Sequence, residues 1–241
     1  MDSTRLQRIA QIGSLILFLL SPSHAQAQTL PAECGALRGQ GHFGPYDYRA
    51  DKYIPESTYK SHTALLGIVE GAHFTPEVET LIRGKTSAYP GPDMSYTLRA
   101  FPNHHRAIIS MVSLGEKSGQ SKPLGSAYTV ECWFQRAMNF APDDHIVRLI
   151  FASYLAKHAR RSEAEQQLAY VASLTENNPF TYRNLGLIYF EMGAYDKALL
   201  YAQKANALGL NIANLQEQLK RVGKWSEPAL INPDKPASSP E

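Results

Sequence analysis

In the second half of this 241-residue chain, residues of matching size recur 34 positions apart. Ala198, Ala202 and Ala205 fall on Ala164, Leu168 and Val171, while Gly186 and Tyr189 fall on Ala152 and Leu155. A further step back places Leu168 on Phe134 and Val171 on Ala137. A recurrence of this length marks a chain of stacked units, because one unit cannot bury its apolar face without a neighbour. In the last unit Tyr182, Leu185, Gly186 and Tyr189 share one helix face at i, i+3, i+4 and i+7. Gly193 can take the positive φ that ends a helix. Residues 195–208 then read as a second helix, stopped by Gly209.

The same spacing predicts a preceding helix pair over 144–157 and 162–174. Residues 128–140 read as the second helix of a still earlier unit, with Pro142 breaking the chain after it. The first helix of that unit is expected over 103–114, separated from its partner by a Gly/Ser/Pro-bearing insertion at 116–126. Ile212, Leu215, Leu219 and Val222 follow at helical spacing, so 211–225 is expected to hold a capping helix over the last exposed edge. The stretch 226–241, proline-rich and poor in apolar residues, reads as a disordered tail.

The Leu185-Gly186 pair, Tyr189 and the spaced alanines resemble the tetratricopeptide repeat, a helix-turn-helix unit of 34 residues. The resemblance covers about residues 101–210 as about three helical hairpins. It implies an all-α fold: a tetratricopeptide-type solenoid with a loop-rich, partly helical N-terminal segment over 28–100 packed on the repeats. The second unit keeps the spacing but lacks the glycine and the tyrosine, and the first departs further. The chain also resembles a group of exported bacterial tetratricopeptide proteins of unassigned function. That likeness lies in "FGPYDYR" (43–49), "VEGAHFTPEVETLIRG" (69–84), "YTLRAFPNHHRA" (96–107), "VECWFQRA" (130–137) and "GKW" (223–225).

The tetratricopeptide resemblance implies a binding groove along the concave face formed by the first helix of each unit. With Leu185-Gly186 as anchor, Arg183, Asn184 and Leu187 fall on that groove in the third unit. In the second unit Leu149, Ile150, Ser153 and Lys157 fall there. If Ala107 takes the small position of the first unit, His104 and His105 align with Arg183 and Asn184, and Arg106 occupies a position where a core leucine is expected. Arg183 could offer a fork of donors to a carboxylate, and Asn184 could pair with a backbone amide.

The start of the chain has the composition of an export signal. Arg5 and Arg8 precede an apolar run over 12–20, and Ala25-Gln26-Ala27 is a small-residue cleavage site. The run is far shorter than the roughly 20 residues of a membrane span. The expectation is cleavage near Ala27 and a periplasmic or secreted protein. A lipid anchor at Cys34 is disfavoured, because Glu33 stands where that processing needs a small residue. Without Asp2, Arg5 and Arg8 the chain keeps 22 of its 24 basic and 21 of its 22 acidic residues. Such near-neutrality excludes nucleic-acid binding by counterion release and a polybasic membrane patch. Cys34 and Cys132 are the two cysteines, and an exported chain meets an oxidising compartment, so a disulfide between them is expected.

In the N-terminal third, 39–51 reads as an ordered loop or extended arm, and 59–74 as helical. Thr75-Pro76-Glu77 reads as a helix start continuing to 83. The stretch 88–98 reads as a loop in which Asp93 caps a short helix. His62, His73, His104 and His105, with Glu70, Glu77 and Glu79, are the residue types of a zinc or His/Glu hydrolase site. They lack the H-x-x-x-H or H-E-x-x-H spacing that brings ligands together. "RGKTS" (83–87) lacks the first glycine of a phosphate-cradling loop and a preceding buried strand, so it reads as a surface turn. Neither a nucleophile motif nor a cofactor motif is read.

Two functions follow. The first is an adaptor or assembly factor of the cell envelope, holding a protein or peptide in the repeat groove. The alternative is a metal- or His/Glu-dependent hydrolase site in the N-terminal segment, with the repeats as scaffold. A third possibility is that the N-terminal arm itself fills the groove.

Overall fold

The computed structural model describes residues 30–38, 43–52 and 63–227; the export-signal reading and the tail beyond 227 lie outside them. The described chain is all-α, with no strand among the described residues. A short 3-10 turn at Ala32–Cys34 precedes eleven helices: α1 (Tyr48–Lys52), α2 (Thr63–His73), α3 (Pro76–Glu79), α4 (Pro90–Ala100), α5 (His105–Ser118), α6 (Val130–Phe140), α7 (His145–Lys157), α8 (Arg161–Leu174), α9 (Pro179–Glu191), α10 (Tyr195–Ala207) and α11 (Ala213–Arg221). No helix among them is long and apolar enough to cross a membrane.

Side chains set where the helices start. Asp144 caps α7 by accepting from the Ile146 and Val147 amides, and Asn178 caps α9 by accepting from Phe180 and Thr181. Thr129 caps α6 at the Cys132 amide. The helix starts preserve the recurrence: α9 begins 34 residues after α7, and α10 begins 34 after α8. The turns between paired helices also match. Gly193 has φ 71° after α9, and its counterpart Ala159 has φ 59° after α7. Ala159 therefore carries the left-handed strain that glycine avoids.

Helices α7 and α8 pack closely along one another, as do α9 and α10. Gly186 makes the second approach possible: a Cβ there would lie 2.7 Å from Leu215 Cδ2 and 3.3 Å from the Ala198 carbonyl oxygen. Ala152, Ala164, Ala198, Ala202 and Ala205 are all buried along these seams. Across hairpins, α5 touches α7 and α7 touches α9, so the three leading helices lie side by side. Helix α7 is apolar on two faces because it joins two cores. Val147, Phe151 and Leu155 pack with Trp133 and Phe134, whereas Leu149 and Ala152 pack with Leu168, Leu185 and Ala198. Helix α11 closes the far end, burying Leu215 and Leu219 against α9 and α10.

The N-terminal segment differs from its sequence reading in three places. The stretch read as a loop or extended arm over 39–51 ends in a helix, α1, from Tyr48. Residues 90–100 are helical, not a loop: Pro90 and Pro92 lie in the first turn, where no amide needs an intrahelical partner. Asp93 is not the cap of this helix but a residue within it. Helix α3 stops at Glu79, well short of 83, and Leu81 turns the chain with φ 61°.

Cys34 and Cys132 are joined, with sulfurs 1.98 Å apart across 98 residues of sequence. Arg136, 1% exposed, reinforces the junction. Its Nη1 donates to the carbonyl oxygens of Cys34, Gly35 and Ala36 at 2.8, 3.2 and 3.0 Å. Its guanidinium lies 4.6 Å from the Tyr128 ring centre, so three carbonyls and an aromatic face substitute for a carboxylate.

Candidate functional site

The leading helices enclose a groove of about 360 Å³. Four positions of α7 line it, Ile150, Ser153, Tyr154 and Lys157, and the residues 34 later, Asn184, Leu187, Ile188 and Glu191, line it from α9. From α5 come Ile109, Val112, Ser113 and Glu116, at the same i, i+3, i+4, i+7 spacing but 41 residues before α7. Ile146 and Leu149 complete the bed. Ile109 is 49% exposed and Ile146 37%, so two large aliphatic side chains face solvent along the groove. Exposed apolar surface gathered in a concavity is the usual character of a binding site. Charge is sparse: Lys157 Nζ lies 3.7 Å from Glu116, and both side chains are exposed.

Six of the residues expected on the groove are there: Leu149, Ile150, Ser153, Lys157, Asn184 and Leu187. Arg183 is not. It faces a smaller cleft with Asn211, Ile212 and Asn214 at the start of α11, and its guanidinium lies 5.8 Å from the Phe180 ring centre.

His104 and His105 also lie elsewhere. The first unit is 41 residues long rather than 34, so Ile109, not His105, occupies the position of Asn184. Met111 then stands where Ala152 and Gly186 stand, and it is buried. His104 is fully buried as the cap of α5. Its Nδ1 accepts from the Ala107 amide at 3.1 Å, which leaves the proton on Nε2 to be donated to Glu70 at 3.0 Å. Burial lowers its pKa against the raising effect of Glu70. The Tyr48 ring stacks on it at 4.2 Å.

His105 donates to Asp144 at 2.8 Å. Asn103 reaches the same carboxylate at 2.9 Å and also Asp47 at 2.8 Å. Arg49 bridges Asp47 and Asp143. Burial raises the Asp47 carboxyl, but Arg49 and Asn103 outweigh it and hold the pKa at about 2. Burial likewise opposes ionisation of Asp144, and the His105 and Asn103 hydrogen bonds hold its pKa below the usual range. The "FGPYDYR" stretch is thus a clasp. It docks on the loops before α5 and α7 and packs Phe43, Tyr46 and Tyr48 against Val69 and Phe101. None of its residues lines the groove, so the described part of the arm does not fill it.

His73 pairs with Asp93 at 3.0 Å and stacks on Tyr96. The "RGKTS" loop wraps the same carboxylate through the Lys85 and Thr86 amides at 2.8 and 3.0 Å. His73, His104 and His105 therefore sit on three different carboxylates, and no group of three potential metal ligands occurs among the described residues. His62 lies outside the described residues.

Sequence reasoning missed Ile109, Val112, Ser113, Glu116, Ile146, Tyr154, Ile188 and Glu191. For Ile146 and Tyr154 the signal was present in α7, whose apolar residues cover more than one face, and for Glu191 it lay in the 34-residue step from Lys157. Comparison with family models, with curated proteins and with solved structures finds no match to this chain.

Proposed function

We propose that this chain is a tetratricopeptide-type helical-repeat protein that holds a peptide segment of a partner protein, acting as an adaptor or assembly factor in the bacterial cell envelope. The observation that carries the reading is the shared register of the leading helices. The positions 109, 150 and 184, and the three rows below them, line one concave surface from three successive units. A groove built this way accepts a chain laid across several helices, with apolar side chains in the bed and hydrogen bonds from Ser113, Ser153 and Asn184. The leader-like start and the Cys34–Cys132 pair support an oxidising compartment.

The test uses Ile109→Asp and Ile146→Asp, two substitutions at exposed positions that put charge into the groove bed. Native protein and variant, purified from their own cells under mild crosslinking, are compared by mass spectrometry of the captured proteins. The expected result is one dominant partner held by the native protein and lost from the double variant, with helical circular dichroism unchanged. Equal capture by both would overturn the groove as the binding surface.

A further inference from the structure

The rows of the groove differ in character from one end to the other. The first row, Ile109, Ile150 and Asn184, carries no charge, whereas the last, Glu116, Lys157 and Glu191, is charged throughout. That last row lies in the final turn of α5, α7 and α9, at the negative end of each helix dipole. Glu116 has Lys157 beside it, at 3.7 Å and exposed, while Glu191 forms no ion pair among the described residues. The three side chains of that row therefore carry one net negative charge.

A second cavity of about 440 Å³ opens beside this end, and it shares Val112, Glu116 and Tyr154 with the groove. Gln120, Ser121 and His158 form its outer wall. It exists because the connection from α5 to α6 is long. Gly119 caps α5 with φ 64°, and the Gln120 amide bonds back to Gly115 at 3.1 Å, leading the chain away from α7 before it returns at Val130. Gly119, Gln120 and Ser121, at the start of this long connection, thus wall the pocket.

We propose that the groove selects a peptide of matching polarity: apolar side chains over Ile109, Ile146 and Ile150, followed by a lysine or arginine whose stem crosses Tyr154 and whose cationic head enters the side pocket at Glu116. The inference rests on the groove reading above and adds to it the chemistry of the occupant. An exposed pair such as Lys157–Glu116 gives way readily to a better-placed cation. The Tyr154 ring offers that cation an aromatic face, and the helix C-termini add their negative dipole.

The experiment selects phage-displayed random peptides of about a dozen residues on the native protein, on the Glu116→Gln, Glu191→Gln double variant, and on the Ile109→Asp, Ile146→Asp double variant. The native protein is expected to enrich apolar segments ending in lysine or arginine. A selected peptide should bind it about five- to tenfold more tightly than the same peptide with glutamine at the basic position. That ratio should fall to about one on the Glu116→Gln, Glu191→Gln variant. Apolar enrichment with no basic preference, lost on the Ile109→Asp, Ile146→Asp variant, would overturn the polarity proposal and leave the groove standing. Enrichment indifferent to Ile109→Asp and Ile146→Asp would overturn both. Concentration-dependent self-association of the native protein, abolished by the same two substitutions, would instead make a second copy the occupant and overturn the peptide proposal.

Discussion

Replacing both cysteines, as Cys34→Ser with Cys132→Ser, removes a bridge that closes a loop of 98 residues. In the chain-entropy description the closure of such a loop restricts the unfolded chain by about 16 cal/mol/K, or about 4.7 kcal/mol at 25 °C. The folded side changes little. Arg136 still holds the Cys34, Gly35 and Ala36 carbonyls, so the N-terminal turn stays on α6 without the covalent bond. Nearly the whole effect then falls on the unfolded state, and a loss of about 4–5 kcal/mol is expected. For a domain of this size that lowers Tm by roughly 10–20 °C. Urea unfolding followed by circular dichroism at 222 nm measures it, with the native-state spectrum unchanged between native protein and variant. A loss under about 1 kcal/mol would mean that the reduced unfolded chain is already compact, and would refute the entropic argument. A native spectrum that loses helix would refute the claim that Arg136 holds the junction.

Ala159→Gly relieves a left-handed backbone at a position whose counterpart is already Gly193, so it should stabilise by about 1 kcal/mol in the same urea assay. Leu215→Ala opens a buried hole under the closing helix and should cost about 2–5 kcal/mol, with α11 becoming the first segment to exchange its amides in hydrogen exchange. The acid response follows from Asp47, Asp93 and Asp144, each with a folded pKa below its unfolded value near 3.9. Their contribution is fully present above about pH 4 and is lost as pH falls through the folded values, about 2 for Asp47. Amides of 43–52 should lose protection in that window, and Asp47→Asn should make the loss shallower. His104 acts higher: its lowered pKa gives stability that is present above about pH 6.5 and declines as pH falls below it.

The hairpins α7–α8 and α9–α10 were legible because close helix approach demands small residues, and Ala152, Gly186, Ala198 and Ala202 state that demand at fixed spacing. The leading unit was illegible in register because Met111 stands where the others carry glycine or alanine, and because seven extra residues separate it from its neighbour. Helix α4 was hidden by Pro90 and Pro92, which read as loop residues until their place in a first turn is known. The histidines were visible as residue types, but not their partners. His73, His104 and His105 reach carboxylates 20 to 39 residues away, and only the folded chain brings these together. The cysteines could be counted but not shown to be neighbours. The Arg136 contacts that gather them run from a side chain to backbone carbonyls and leave no pattern in sequence.

The most direct measurement of the central claim places a photoreactive amino acid, one site at a time, at Ser113, Ser153 and Asn184 in the groove and at Gln166 and Lys204 on the exposed faces of α8 and α10. Irradiation in living cells is then followed by identification of the crosslinked species. The groove account predicts the same partner from the first three sites and none from the other two. Crosslinks from Gln166 and Lys204 with silence at Ser113, Ser153 and Asn184 would contradict it.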